Sequence, residues 1–256
     1  MLFKKDLTIV ANWKMNPNNY NIAQELFNLY AEKINCDKIN LIVAPPAVYL
    51  KPLTKLIKQD KINISLSAQN ICWEDHGAFT GEISANMVKD IGCNYTIIGH
   101  SECRKHYKET DKIIAKKFLM ALQAKLIPIV CVGENKSQFD KGEFEVERIL
   151  YKQLKFILKH AIHLSVNSEF IIAYEPVWSI GTGLSANPQY INQTCGYIHE
   201  KINHLTSIKQ KIKVLYGGSV NISNVKSILQ LSNVDGVLVG GASLNAQQFS
   251  QICQLS

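Results

Sequence analysis

The stretch Phe170-Ile171-Ile172-Ala173-Tyr174-Glu175-Pro176-Val177-Trp178-Ser179-Ile180-Gly181-Thr182-Gly183 carries the reading of the fold. Its first four residues are a short apolar run, the pattern of a buried strand. The run delivers a carboxylate, Glu175, straight into Pro176. Proline fixes its own backbone and restrains the residue before it, so Glu175 is aimed rather than loose. Bulky Val177, Trp178 and Ile180 follow, and then two glycines at which the chain can turn. A buried strand that ends in an aimed carboxylate and an apolar flap describes a base working in a closed, dry site.

The same unit recurs in both directions along the chain. Apolar runs predict strands at 7–11, 39–44, 62–68, 95–99, 127–132, 170–174, 212–216 and 234–239. Between them, apolar residues at helical spacing predict helices at 22–34, 48–57, 84–91, 111–124, 144–161, 188–205 and 225–229, and a last one at 246–252. Strictly alternating units imply a parallel sheet in an α/β fold. Eight of them at this length fit a closed (β/α)8 barrel better than an open doubly wound sheet. No linker or low-complexity segment divides the chain. Its longest irregular stretch, 70–81, is too short for a domain boundary and long enough to project. The expectation is one domain over residues 1–256.

Composition narrows the function. The 256 residues are 46% hydrophobic, typical of a globular domain. The first residues lack the apolar core of a signal peptide, and no apolar run reaches the eighteen residues of a membrane span. Seven scattered cysteines without a C-x-x-C pattern predict reduced thiols in a cytoplasmic protein. The net charge of +7 comes from dispersed lysines with only two arginines, Arg104 and Arg148. Nucleic-acid binders cluster basic residues and interleave aromatics, and no such cluster occurs. A solvated lysine surface and a small anionic substrate fit better.

In a barrel of this kind the chemistry lies at the carboxyl ends of the strands. The residues delivered there are Asn12, Trp13 and Lys14 after the first strand and Gln69 and Asn70 after the third. The fourth delivers His100, Ser101 and Glu102, the fifth Glu134 and the sixth Glu175. Gly217-Gly218-Ser219 and Gly240-Gly241 follow the seventh and eighth, each leading into a helix. Backbone N–H groups at such turns bind phosphate, and these two loops are the usual phosphate site of the fold.

These residues resemble the triosephosphate isomerase family almost end to end. The likeness is carried by A-N-W-K-M-N at 11–16, S-A-Q-N at 67–70, G-A-F-T-G-E at 77–82, I-I-G-H-S-E at 97–102 and C-V-G-E at 131–134. It continues with A-Y-E-P-V-W-S-I-G-T-G at 173–183, Y-G-G-S-V at 216–220 and V-G-G-A-S at 239–243. The resemblance implies a TIM barrel that interconverts D-glyceraldehyde 3-phosphate and dihydroxyacetone phosphate in glycolysis and gluconeogenesis. It implies Glu175 as the base and neutral His100 as the electrophile, a division of labour for which this family is an established example of pKa tuning. Lys14 and Asn12 would stabilise the developing charge. Gly181, Ser219, Gly240 and Gly241 would hold the phosphate through their N–H groups. Ile180 and Leu238 would confine Glu175 and raise its basicity in the closed state. Trp178 would anchor the flap on Tyr174 or Glu134. The reaction requires no metal or organic cofactor. The family is usually a homodimer, in which loop 70–81 enters the neighbouring subunit and Thr80 buttresses the partner's Lys14 and Asn12.

Two departures stand out. Cys103 replaces an arginine of the family's G-H-S-E-R-R, and Ser179 stands where the flap usually carries alanine. Glu102 and Glu134 read as structural, pairing with Lys14 or Arg104. Their rival reading is the carboxylate pair of a glycosidase, against which the two phosphate turns argue because a neutral sugar needs none. A barrel that merely binds phosphates would have lost the base or the electrophile, whereas Asn12, Lys14, His100 and Glu175 are kept together. Residues 181–186 fit G-x-G-x-x-A formally but lack the direct strand–turn–helix setting of a dinucleotide site. His160 with His163 and His199 with His204 have spacings open to a metal, though spare histidines suit them better.

Overall fold

The computed structural model describes residues 7–159, 169–182, 185–206 and 212–255. Eight strands run β1 Leu7–Asn12, β2 Ile39–Ala44, β3 Ser65–Ala68, β4 Tyr95–Ile98, β5 Ile127–Val132, β6 Ile171–Tyr174, β7 Lys213–Tyr216 and β8 Gly236–Val239. They close in sequence order into one barrel, with β8 pairing parallel to β1. The closed (β/α)8 barrel expected from the alternation is therefore the fold.

The helices form an outer layer: α1 Tyr20–Lys33, α2 Ala47–Asp60, α3 Ala85–Asp90, α4 Ser101–His106, α5 Asp111–Gln123, α6 Lys136–Phe139, α7 Glu143–Leu158, α8 Pro188–Leu205, α9 Val225–Leu229 and α10 Ala246–Gln254. Local chemistry starts several of them. Asn19 accepts a bond from the Ile22 N–H at the head of α1, and Thr110 does the same for Ile113 at the head of α5. Asn187 caps α8, whose first residue is Pro188, where a missing N–H costs nothing. Each helix then turns its apolar stripe inward: Val146, Ile149, Leu150, Leu154 and Ile157 on α7 are all buried.

Two apolar layers result. Strand residues facing outward pack with the helices, whereas Val10, Ile42, Ile97, Ile129, Cys131, Ile171, Ala173, Leu215 and Leu238 fill the barrel itself. That inner set fixes the site. Side chains on one strand face repeat every second residue. Two residues beyond Val10, Ala173, Leu215 and Leu238 stand Asn12, Glu175, Gly217 and Gly240, at the mouth of the barrel.

Some boundaries differ from the sequence expectation. The third strand was expected over 62–68 and spans only Ser65–Ala68. Lys61 is in the left-handed region and the Ile62 N–H bonds back to Ile57 at the end of α2, so 62–64 close the helix instead of pairing with β2. The eighth strand begins at Gly236 rather than 234, because the Val234 N–H is spent on Leu231. Helix α6 was not expected at all. The end of the helix expected over 144–161, with His160 and His163, lies outside the described residues, as does Gly183.

Candidate active site

His100 reaches the mouth by a twist in the backbone. On β4, Ile97 faces into the barrel and Ile98 outward, so simple alternation would turn His100 outward as well. Gly99 has φ +69, and a Cβ there would stand 3.0 Å from Ile114 and 3.3 Å from the Cys131 carbonyl. Only glycine takes this conformation in so tight a space, and it swings His100 inward. His100 then caps α4: its Nδ1 accepts the Glu102 N–H at 3.3 Å.

Glu175 lies beside it, 2% exposed. Its Oε2 accepts the Ser101 N–H at 2.9 Å. Its Oε1 stands 3.0 Å from His100 Nε2, close but misaligned, and has no hydrogen-bond donor. Ser101, noted in the sequence only as following His100, thus holds the carboxylate through its backbone. Ile180 and Leu238 line the same cavity as Glu175.

Lys14 is reached through a strained turn. Its φ is +53, its N–H bonds to Asn12 Oδ1 at 3.0 Å, and its carbonyl accepts from Gln69 Nε2 at 2.8 Å. The ammonium pairs with Glu102 at 2.7 Å. Partial burial pushes the Glu102 carboxyl up, but the Lys14 hydrogen bond and charge, with His100 and His106 nearby, outweigh it and hold the group below the ordinary value.

Asn12, Lys14, His100, Glu175, Gly181, Ser219, Gly240 and Gly241 therefore border one cavity of about 260 Å³. These are the residues expected to do the chemistry and to hold the phosphate; Trp13, Gln69, Asn70, Ser101 and Glu102, also read at the strand ends, do not line the cavity. The carboxylate, the imidazole, the ammonium and the glycine turns thus share one lining, with Gly217 close against Glu175 and Gly240 close against Lys14.

Glu134 does not face this cavity, and it pairs with neither Lys14 nor Arg104. It is fully buried under the flap, where its Oε1 accepts from the Trp178 indole at 2.7 Å, from Tyr174 at 3.0 Å and from Tyr190 at 3.3 Å. Burial raises its carboxyl above the ordinary value, only partly offset by these donors. This corrects the expected ion pairing and removes Glu134 from any two-carboxylate site. Of the two proposed anchors for Trp178, Glu134 is the one engaged. Phe139 of α6 stacks on the Trp178 ring at 4.2 Å, a contact the sequence reading missed. The capping box of Asn135 and Gln138 around α6 was the available signal. Arg104 instead pairs with Asp111 at 2.7 Å and donates to the Gly99 carbonyl at 2.9 Å. His199 lies 3.1 Å from Asp235, and among the described residues no cluster of three metal-ligating side chains forms.

A family model described as Triosephosphate isomerase matches residues 7–256. A relative named Triosephosphate isomerase from Shewanella pealeana (strain ATCC 700345 / ANG-SQ1) is 38% identical, covering 97% of this chain and 96% of its own. One of the same name from Shewanella frigidimarina (strain NCIMB 400) is 39% identical over the same shares.

Proposed function

The chain belongs to the triosephosphate isomerase family, and we propose that this isomerase interconverts D-glyceraldehyde 3-phosphate and dihydroxyacetone phosphate by a Glu175-mediated proton transfer through an enediolate. The carrying observation is one cavity lined both by the candidate catalytic side chains and by the glycine turns. A triose phosphate has a group for each, a carbonyl pair and a phosphate.

Moving a carbonyl by one carbon requires a proton to leave one carbon and return to its neighbour. One carboxylate serves both steps. Glu175 leaves the Ser101 N–H and turns beneath Ile180 and Leu238 to reach the substrate carbon, takes its proton and delivers it next door. His100 works at the two oxygens. Its Nδ1 accepts the Glu102 N–H, which leaves the ring proton on Nε2, the nitrogen beside Glu175. A neutral imidazole of that tautomer donates to one enediolate oxygen and shuttles the proton to the other. Lys14 and Asn12 stabilise the charge that develops there. The N–H groups of Gly181, Ser219, Gly240 and Gly241 hold the phosphate, and because Gly181 belongs to the flap, phosphate binding favours closure. Closure keeps water from the enediolate and prevents loss of phosphate.

The same reading makes residues 1–256 one catalytic domain working in the cytoplasm as a homodimer, as a step of glycolysis and gluconeogenesis, with no nucleic-acid or membrane partner. Among the described residues, no helix is long and apolar enough to cross a membrane. Loop 70–81 enters the neighbouring subunit, and Thr80 buttresses the partner's Lys14 and Asn12. The exposed apolar side chains Met15, Phe79 and Met87 support a covered surface at this end.

The test is a coupled assay of D-glyceraldehyde 3-phosphate conversion with Glu175→Asp beside the native protein. Shortening the base by one methylene misplaces the carboxylate and should slow turnover by about a hundredfold or more. A folded native protein without turnover would overturn the assignment.

A further inference from the structure

Ser179 sits in the three-residue 3-10 helix Val177–Ser179 at the base of the flap, fully buried. Its carbonyl is well used, accepting from Ser219 Oγ at 2.7 Å and from Thr182 Oγ1 at 3.0 Å. Its own hydroxyl has no hydrogen-bond partner. A buried unpaired hydroxyl costs about 1–3 kcal/mol. An alanine, the residue usual in the family, would carry no such cost in this flap position.

A partner stands close by. Gly218 carries no side chain, and a Cβ built on it would lie 2.8 Å from Ser179 Oγ and 2.3 Å from the Tyr216 hydroxyl. The two oxygens flank the same small space over the Gly218 backbone, which is why a glycine is required there. Tyr216 already holds the far end of the flap, accepting the Ala186 N–H at 3.3 Å. Among the described residues its own hydroxyl proton is given to no acceptor.

We propose that Ser179 is a flap-positioning residue: its hydroxyl, unpaired in the flap position of this structure, takes the Tyr216 O–H when the flap shifts onto the phosphate. The bond then joins both ends of the flap to one side chain next to the Ser219 turn. This biases the flap toward the shifted position, because the buried hydroxyl is unpaired in one state and bonded in the other. The proposal rests on the reading that the flap closes over a triose phosphate.

A double-mutant cycle of Ser179→Ala and Tyr216→Phe tests it, with kcat and KM for D-glyceraldehyde 3-phosphate and melting temperature measured for all four proteins. In the native background Ser179→Ala should lower kcat/KM about fivefold, the worth of one net hydrogen bond. The melting temperature should stay level or rise, because the hydroxyl has no partner in the unliganded flap position. In the Tyr216→Phe background the same substitution should change kcat/KM by less than about twofold. Independent effects in the two backgrounds, or a lowered melting temperature with unchanged kcat/KM, would overturn the proposal and make Ser179 a structural residue. Absence of turnover in the native protein would instead sink the isomerase reading beneath it.

Discussion

Lys14 depends on its backbone more than on its ammonium. A lysine at φ +53 is strained by about 1 kcal/mol or more, and it stays there only because its neighbours over-determine it. Asn12 takes its N–H, and Gln69 takes its carbonyl while bonding the Ala44 carbonyl at 2.8 Å with the same amide. Gln69 therefore ties the ends of β1 and β2 together under Lys14. Gln69→Leu should let the Lys14 turn relax and lower kcat/KM by about tenfold or more while the barrel remains folded. Steady-state kinetics with a circular dichroism control measures it, and an unchanged kcat/KM would mean Lys14 is held by Asn12 and Glu102 alone. Asn12, Lys14 and Glu175 were legible in the sequence because they follow directly on predicted strands, whose carboxyl ends form the mouth of the barrel. The task of Gln69 was not, since it exists only where three strands meet.

The flap base and α6 form a socket whose centre is a buried carboxylate. Phe139 and Tyr190 pack around Trp178, and three donors converge on one oxygen of Glu134 while the other has none. Burial is the largest influence and raises the folded-state value of Glu134 above its ordinary one. The sign follows from linkage. A carboxyl raised on folding contributes stability that is fully present below its unfolded value, about 4.3, and is lost as pH rises through the folded value. Glu134→Gln has no proton to lose, so its melting temperature relative to the native protein should climb between pH 4.5 and pH 8. Thermal melts of both proteins across that range decide it. A constant difference would show that Glu134 titrates as an ordinary carboxylate. The eight strands and the long helices between them were legible in order from periodicity. This socket was not, because α6 is one turn long and offers no apolar period, and the reach of Glu134 to Trp178 depends on how β5 and β6 sit side by side.

At the scale of the molecule, the closed barrel satisfies its own strand edges but leaves apolar side chains uncovered just after β1, on loop 70–81 and on α3. Met15 is 93% exposed, Met87 56% and Phe79 37%. Loop 70–81 is nonetheless firmly seated at its root. Asn70 bonds Glu109 at 2.8 Å, and the buried Lys117 ammonium pairs with Glu109 at 2.5 Å, bonds Asn70 at 2.9 Å and faces the Trp73 ring at 5.9 Å. Buried charges held in this way keep one geometry, since breaking the set would strand an ion. A rigid root with an apolar tip is suited to insertion into a second copy of the chain. Alternation along the sequence could not announce that surface; the likeness to the family did. Phe79 touches Trp73 edge-on at 6.0 Å and belongs to neither apolar layer of the barrel, so Phe79→Asp should leave the barrel folded. It should put a charge into the proposed interface and yield monomers in sedimentation velocity at micromolar concentration. Without the partner's Thr80 behind them, Lys14 and Asn12 should lose their setting, and kcat/KM should fall about a hundredfold or more. A variant that stays dimeric and active would show that loop 70–81 is a local lid. A monomer with native kcat/KM would keep the interface and remove the buttress, leaving each barrel to complete its own site.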